Sequence, residues 1–399
     1  MSKINDNKLI PRLRFLEFEN DGNWKEKLLR QLFEFGNGKD YKHLSNGDIP
    51  VYGTGGKMLS VNDYLYDGES VCIGRKGTID NPLFLTGKFW TVDTLFYTHS
   101  FVNCIPKFIY YVFQNINWYD YNEAGGVPSL SKTTISKIKV LIPPKKEEQQ
   151  KIASCLSSLD EIITAENKKL DVLKEHKKGL LQNLFPQEGE TIPKLRFKEF
   201  VNSGDWSEDT LLNIASFRRG SFPQPYGLPK WYDDENGMPF IQVFDVGEDF
   251  CLKPTTKNRI SELAAKQSVF IPKGTLIITL QGSIGRVAIT QYDAYIDRTL
   301  LLFEVFHKEI DLTFFAYTIF LLFEIEKQKA PGGIIKTITK EVLSSFVVKI
   351  PSIKEQKKIA ICLTSLDELI NNQSQKVEAL KLHKKGLLQG LFPTINNEE

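Results

Sequence analysis

The chain has 399 residues, 41% of them hydrophobic and 25% charged, the profile of a soluble globular protein with room for two or three domains. A formal net charge of +2 excludes a globally basic nucleic-acid binder, so any DNA-binding surface must come from local clustering. Five cysteines, scattered and never spaced C-x-x-C, exclude a disulfide framework and a zinc ribbon.

In chain order, the opening MSKINDNK has no apolar core of the kind a signal peptide carries. A first head follows, with strands expected at 70–74, 92–98 and 137–142 and a helix near 107–117, the strands rich in Val, Ile, Tyr and Phe and bounded by turn residues. Two of its loops combine glycine with basic and polar residues, Tyr52-Gly53-Thr54-Gly55-Gly56-Lys57 and Gly74-Arg75-Lys76-Gly77-Thr78. Just after the second stands Asn81-Pro82-Leu83-Phe84, a partial match to the Asn-Pro-Pro-aromatic motif of amino-methyltransferases in which Leu83 replaces the second proline.

After Pro143 and Pro144, apolar residues recur in steps of three and four at Ile152, Leu156, Leu159, Ile163, Leu170, Leu173, Leu180 and Leu184, with Glu166 and Lys177 as polar members of the same seam. That period predicts a coiled-coil helix over 146–185. Such a narrow apolar stripe needs a partner helix, and a rod of about 38 residues runs to roughly 55 Å.

A short linker, 187–191, leads to a second head with strands expected at 240–243, 276–280, 295–305 and 346–350 and a helix near 312–327. The longest apolar run, 314–323, is about half of what a bilayer span requires, so a cytoplasmic protein without membrane contact is expected. The loops of this head are Arg218-Arg219-Gly220-Ser221, Gln281-Gly282-Ser283-Ile284-Gly285-Arg286 and Gly332-Gly333-Ile334-Ile335-Lys336. Glycine permits close approach to a phosphate, Arg reads guanine bidentately, and Gln pairs with adenine. Beyond Pro351 the same seam returns over 353–392, as Ile359, Leu363, Leu366, Ile370, Val377, Leu380, Leu387 and Leu391, with Gln373 and Lys384 as its polar members.

The chain therefore repeats itself. IPRLRFLEFENDGNWKEKLL at 10–29 returns as IPKLRFKEFVNSGDWSEDTL at 192–211, pairing Arg14 with Arg196 and Trp24 with Trp206 at an offset of 206 − 24 = 182. EQQKIASCLSSLDEII from Glu148 and HKKGLLQNLFP from His176 return at Glu355 and His383, an offset of 383 − 176 = 207, and 25 of 39 positions in this stretch are identical. The middles diverge, sharing only scattered features such as Gly77 with Gly282 and Asp93 with Asp297. Matched ends around unlike middles point to two copies of one module with different surfaces, folded back with the ends of the chain near each other. The paired Cys155 and Cys362 read as buried structural thiols. The five histidines do not cluster at metal spacing, and neither a P-loop nor a Gly-x-Ser-x-Gly elbow occurs.

The paired IP-x-LRF-x-EF…W openings, EQ-x-KIA…LDE helices and HKKGLLQ-x-LFP endings, together with VYGTGGK…SVCIGRKGTIDNP…FWTVDTLFY, resemble the specificity subunits of type I restriction–modification systems over nearly the whole chain. The resemblance implies a mixed α/β fold: target recognition domains at 1–145 and 186–352 joined by antiparallel conserved helices at 146–185 and 353–392 that form a pseudo-twofold coiled coil. Each domain would read half of an asymmetric bipartite site in double-stranded DNA, and the coiled coil would set the spacer and dock the methylation subunits. Two methylation and two restriction subunits would supply the chemistry with S-adenosylmethionine, ATP and Mg2+, leaving this chain without catalytic residues, metal or cofactor. DNA-facing residues would be Tyr52, Thr54, Lys57, Arg75, Lys76 and Thr78 in the first head, and Arg218, Arg219, Gln281, Ser283, Arg286 and Lys336 in the second. The competing readings are a self-contained DNA adenine methyltransferase, suggested by Asn81–Phe84, and a coiled-coil interaction protein that binds no DNA.

Overall fold

The computed structural model describes residues 9–329 and 343–393, which divide into two compact units: 9–169 with 374–393, and 170–373 over its described part. Each unit thus takes one head and part of both long helices.

The first head opens and closes on one antiparallel ribbon, Lys25–Leu28 against Lys139–Ile142. Inside it lie two four-stranded sheets. One runs Glu34–Asn37, Leu95–His99, Ser70–Gly74, Leu83–Leu85; the other runs Gly56–Val61, Asn46–Gly53, Lys88–Thr91, Tyr66–Asp67. The run Ser70–Gly74 is buried at every position because the helix Pro106–Asn115 packs against it. Phe33, Phe35, Phe96, Phe108, Phe113 and Trp118 complete that core.

The second head repeats this plan. Ser207–Thr210 pairs with Val347–Ile350. The first sheet runs Ala215–Arg219, Leu300–Phe306, Leu276–Thr279, Val287–Ile289, and the other Asn258–Ile260, Met238–Ile241, Ala294–Ile296, Val269–Ile271, with Leu312–Lys329 as the covering helix. Strand orders correspond one for one although the sequences do not. The expected strand at 295–305 is in fact two strands. The Asp297 carboxylate accepts from the Thr299 N–H and hydroxyl at 2.9 and 2.5 Å, and this local turn interrupts the ladder. The same break falls at 92–94 in the first head, where the Leu95 N–H donates to Val92 O.

Two helices of 39 residues, Lys146–Leu184 and Ile353–Leu391, carry the seams. Within the first unit they run antiparallel, as the ion pairs Asp160–Lys384 (2.6 Å) and Glu166–Lys376 (2.5 Å) require. Within the second unit Lys177 meets Asp367 at 2.5 Å, and Leu181 and Leu184 share a core with Ile359 and Leu363. Every apolar seam residue named above is buried or half-buried, whereas Ile162, Val172, Ile361, Leu369 and Leu382 lie off the seam and are exposed. Cys155 and Cys362 are half-buried rather than buried, since they flank the seam; the buried thiols are Cys72 and Cys104, both pushed up to about 12 by burial.

The polar seam members have a purpose in packing. Lys384 lies over the Tyr111 ring while the Tyr111 hydroxyl donates to Asp160 at 2.9 Å; Lys177, Tyr317 and Asp367 repeat the arrangement. Each tyrosine comes from its head's helix, so a part-buried hydrogen bond to a carboxylate fastens head to long helix. Burial, then the carboxylate, raises both phenol pKa values. A raised folded-state value means that this contribution is complete below the ordinary tyrosine value and is lost as pH climbs from there through the raised one. Tyr111→Phe is expected to cost its unit about 1.5–3 kcal/mol in a urea titration at neutral pH; an unchanged midpoint would show that the hydroxyl contributes nothing.

A second fastening ties each repeat's opening segment to its long helix. Glu148 accepts Arg14 Nε and Nη2 at 2.8 Å each and the Trp24 indole N–H at 3.1 Å; Glu355 does the same for Arg196 and Trp206. In the first unit the Leu13 N–H also donates to Gly390 O, and in the second the Leu195 N–H donates to Asn183 O, both at 2.8 Å.

Candidate nucleic-acid interface

The hairpin Asn46–Gly53/Gly56–Val61 turns at Thr54-Gly55, with Gly56 at φ +107°. Tyr52 is half-buried against Cys72, Leu85, Phe89 and Leu95, so its ring serves packing first. Lys57, directly across the ladder from it, is exposed.

A tight turn follows Ser70–Gly74. A Cβ on Gly74 would lie 1.9 Å from Thr78 O, and Gly77 sits at φ +93°, which is why both positions need glycine. The turn lifts Arg75, Lys76 and Thr78 into solvent and packs against the Thr54 side chain. Its backbone is gripped from two sides. The Arg75 N–H donates to Thr94 O at 2.7 Å, while the Gly77 N–H reaches Pro128 O and the Leu130 N–H reaches Arg75 O at 2.9 and 2.8 Å. Asn122 holds the loop 124–129 by accepting from the Ala124 and Ser129 N–H groups. Arg75, Lys76, Asp93, Thr94, Val127 and Ser129 thereby line one open cleft of about 600 Å³. Lys57 is not among its lining residues.

In the second head the turn 280–286 takes this place. Gly282 and Gly285 have φ +66° and +84°, Ile284 is buried, and Gln281 and Ser283 are exposed at the tip. Arg286 turns away from the tip, donating to Val246 O at 3.3 Å and Glu248 at 2.8 Å. Arg218 pairs with Glu304 at 2.6 Å across the sheet, and Arg219 is exposed beside Gly220. A Cβ on Gly220 would meet Ile296 O at 2.3 Å, as one on Gly38 would meet Val92 O at 1.9 Å. Lys336 and its glycine loop lie outside the described residues.

Sequence reading missed Asp93, Thr94, Val127 and Ser129 in the first head and Arg298 in the second. The available signal was the Asp93–Asp297 match, but it is displaced by one residue. Backbone hydrogen bonds align the heads: Arg75 N to Thr94 O matches Leu280 N to Thr299 O, Leu95 N to Val92 O matches Leu300 N to Asp297 O, and Gly38 N to Leu95 O matches Gly220 N to Leu300 O. Asp93 therefore occupies the place of Arg298. Asp297 is buried and bonded to Thr299 and the Tyr226 hydroxyl. Asn81-Pro82-Leu83-Phe84 runs into the strand Leu83–Leu85, with Phe84 packed on Tyr110 and Lys107, an ordinary structural role.

The family model for the type I restriction modification DNA specificity domain matches twice, at residues 21–175 and 228–381. The chain belongs to this family. Each match contains most of one head and the first part of the long helix that follows, so the family unit coincides with the internal repeat. Among relatives, the MjaVIII type I restriction enzyme specificity subunit of Methanocaldococcus jannaschii is 27% identical over 359 residues, covering 84% of this chain and 79% of that one. The MjaX specificity subunit of the same organism is 26% identical over 285 residues, covering 70% of this chain and 64% of its own length, just under two thirds. Among solved structures, the S subunit of a type I restriction–modification system from M. genitalium aligns with TM-score 0.65 at 15% identity, over 97% of this chain and 100% of that one. A chain from a study of complex assembly in the type I system aligns with TM-score 0.58, also at 15% identity, over 92% and 96%. At such identity these two neighbours establish the fold. No helix among the described residues is long and apolar enough to cross a membrane.

Proposed function

We propose that this specificity-family chain is the DNA-reading subunit of a type I restriction–modification complex in the cytoplasm, and that it performs no chemistry itself. The observation that carries this reading is the pair of heads with one backbone plan and unlike side chains at the same turns. A duplicated enzyme retains its reactive groups in both copies, whereas a duplicated reader varies them. Arg75, Lys76, Thr78 and Thr54 offer cationic and hydroxyl groups on a glycine turn in one head, and Gln281, Ser283, Arg219 and Arg298 do so in the other. Phosphate contacts position such a surface on the duplex and side chains at base edges select the sequence.

On this reading each head takes one half of a bipartite site, while the helix pair sets the spacing between halves and docks the methylation subunits. The partners named in the family's systems, two methylation and two restriction subunits, bring S-adenosylmethionine, ATP and Mg2+. Reconstitution tests this directly. The assembled methylation complex is expected to modify one bipartite sequence, and the chain by itself to transfer no methyl group from labelled S-adenosylmethionine to DNA. Methyl transfer by the isolated chain, or the same sequence preference from a complex lacking it, would overturn the proposal.

A further inference from the structure

The heads carry opposite charges at one shared backbone position. Hydrogen bonds to the flanking residues place Asp93 and Arg298 equivalently, each one residue before the threonine whose carbonyl accepts from the glycine-containing turn. Both side chains are exposed. Among the described residues no hydrogen bond or ion pair engages the Asp93 carboxylate, which lines the cleft beside Arg75 and Lys76. Arg298 lies over the Tyr226 ring at 5.0 Å, a stacking contact that steadies the guanidinium and leaves its donor edge open.

A phosphate-holding position calls for a cation or a neutral donor in both heads, because a carboxylate repels the DNA backbone. Opposite charges at one position of a shared frame are instead what base reading requires. Asp accepts from an exocyclic amine in the major groove, and Arg donates bidentately to guanine O6 and N7. We propose that this is the base-discriminating position of both heads. Asp93 selects a base edge presenting an exocyclic amine, that of cytosine or adenine, and Arg298 selects guanine. The inference rests on the DNA-reading function proposed above and adds to it the residue and the base chemistry.

The test uses the full chain assembled with its methylation subunits, with the modified sites read by sequencing. Asp93→Ala is expected to relax one position of one half-site, with discrimination there falling about 5- to 150-fold. Arg298→Ala is expected to relax one guanine of the other half-site by a similar factor, with every remaining position unchanged in both variants. Asp93→Asn separates the two amine sources: an amide pairs bidentately with adenine and keeps an adenine preference, whereas a cytosine preference shifts toward adenine. An unaltered motif in both alanine variants would sink the inference while leaving the DNA-reading function intact. That function fails separately if omitting the chain leaves the motif unchanged. Binding to specific and unrelated duplexes across a salt series supplies a second measurement that does not depend on methyl transfer. A merely repulsive surface carboxylate predicts that Asp93→Ala tightens binding to every sequence alike, and that result overturns the base-reading role; a fallen ratio of specific to unrelated binding supports it.

Discussion

Glu148→Gln is expected to destabilise the first unit by about 3–5 kcal/mol, and Glu355→Gln the second by the same amount. The carboxylate of Glu148 is fully buried, and the Arg14 side chain retains only 5% exposure. The pair lies beyond the screening that weakens surface ion pairs. Arg14 is held above its ordinary pKa chiefly by its hydrogen bonds to Glu148, and a guanidinium is basic enough to stay charged even when that partner is neutralised. The cost of the variant is that stranded cation, together with the indole N–H of Trp24 losing an anionic acceptor. Unit-resolved hydrogen exchange in a urea series measures the loss. Replacing both partners, as in Arg14→Met with Glu148→Met, is expected to restore most of the stability, because an apolar pair leaves no charge buried. A loss below about 1 kcal/mol in the single variant would place the pair with ordinary surface bridges.

Lengthening both long helices by one heptad is expected to widen the spacing between the methylated half-sites by about three base pairs, since seven helical residues add roughly 10 Å and a base-pair step is about 3.4 Å. The insertions belong between Lys169 and Leu170 and between Gln373 and Ser374, where the compact units divide. Seven residues preserve the seam because two turns of a coiled coil contain seven. Insertion of five or six would rotate the apolar stripe out of register and is expected to abolish assembly. Sequencing of modified sites reads the outcome, and the half-sites themselves should be unaffected. An unmoved spacing would refute the ruler.

The long helices were legible from sequence because a seam of period 3.5 leaves a pattern in one dimension; every predicted apolar member is buried or half-buried. Their polar interruptions were legible as positions but not as partners. Lys384 meets Asp160 and Tyr111 across 224 and 273 residues of chain, as differences of their numbers show, and no periodicity encodes such pairings. The heads were harder. Runs such as 92–98 and 295–305 read as single strands because their turn residues are few, and the local hydrogen bonds of Asp297 that break the second run depend on side-chain direction. The glycine turns at 74–78 and 280–286 were found through composition. Asp93 and Ser129, which meet the first of these turns in space, stand on other loops and could be found only once the backbone was in place. Arg218 and Arg286 stand out in the sequence by their charge, which the fold engages with Glu304 and Glu248.

Each head enters and leaves through one short antiparallel ribbon, Lys25–Leu28 with Lys139–Ile142 in one case and Ser207–Thr210 with Val347–Ile350 in the other. Both cut ends of the intervening chain therefore emerge as neighbours, and whatever lies between them is a cassette. On the DNA-reading function proposed above, genetic recombination with crossovers in those ribbons would exchange a whole set of base contacts while the scaffold keeps its own packing, so that new target sequences would be reachable in single steps and not only by gradual substitution.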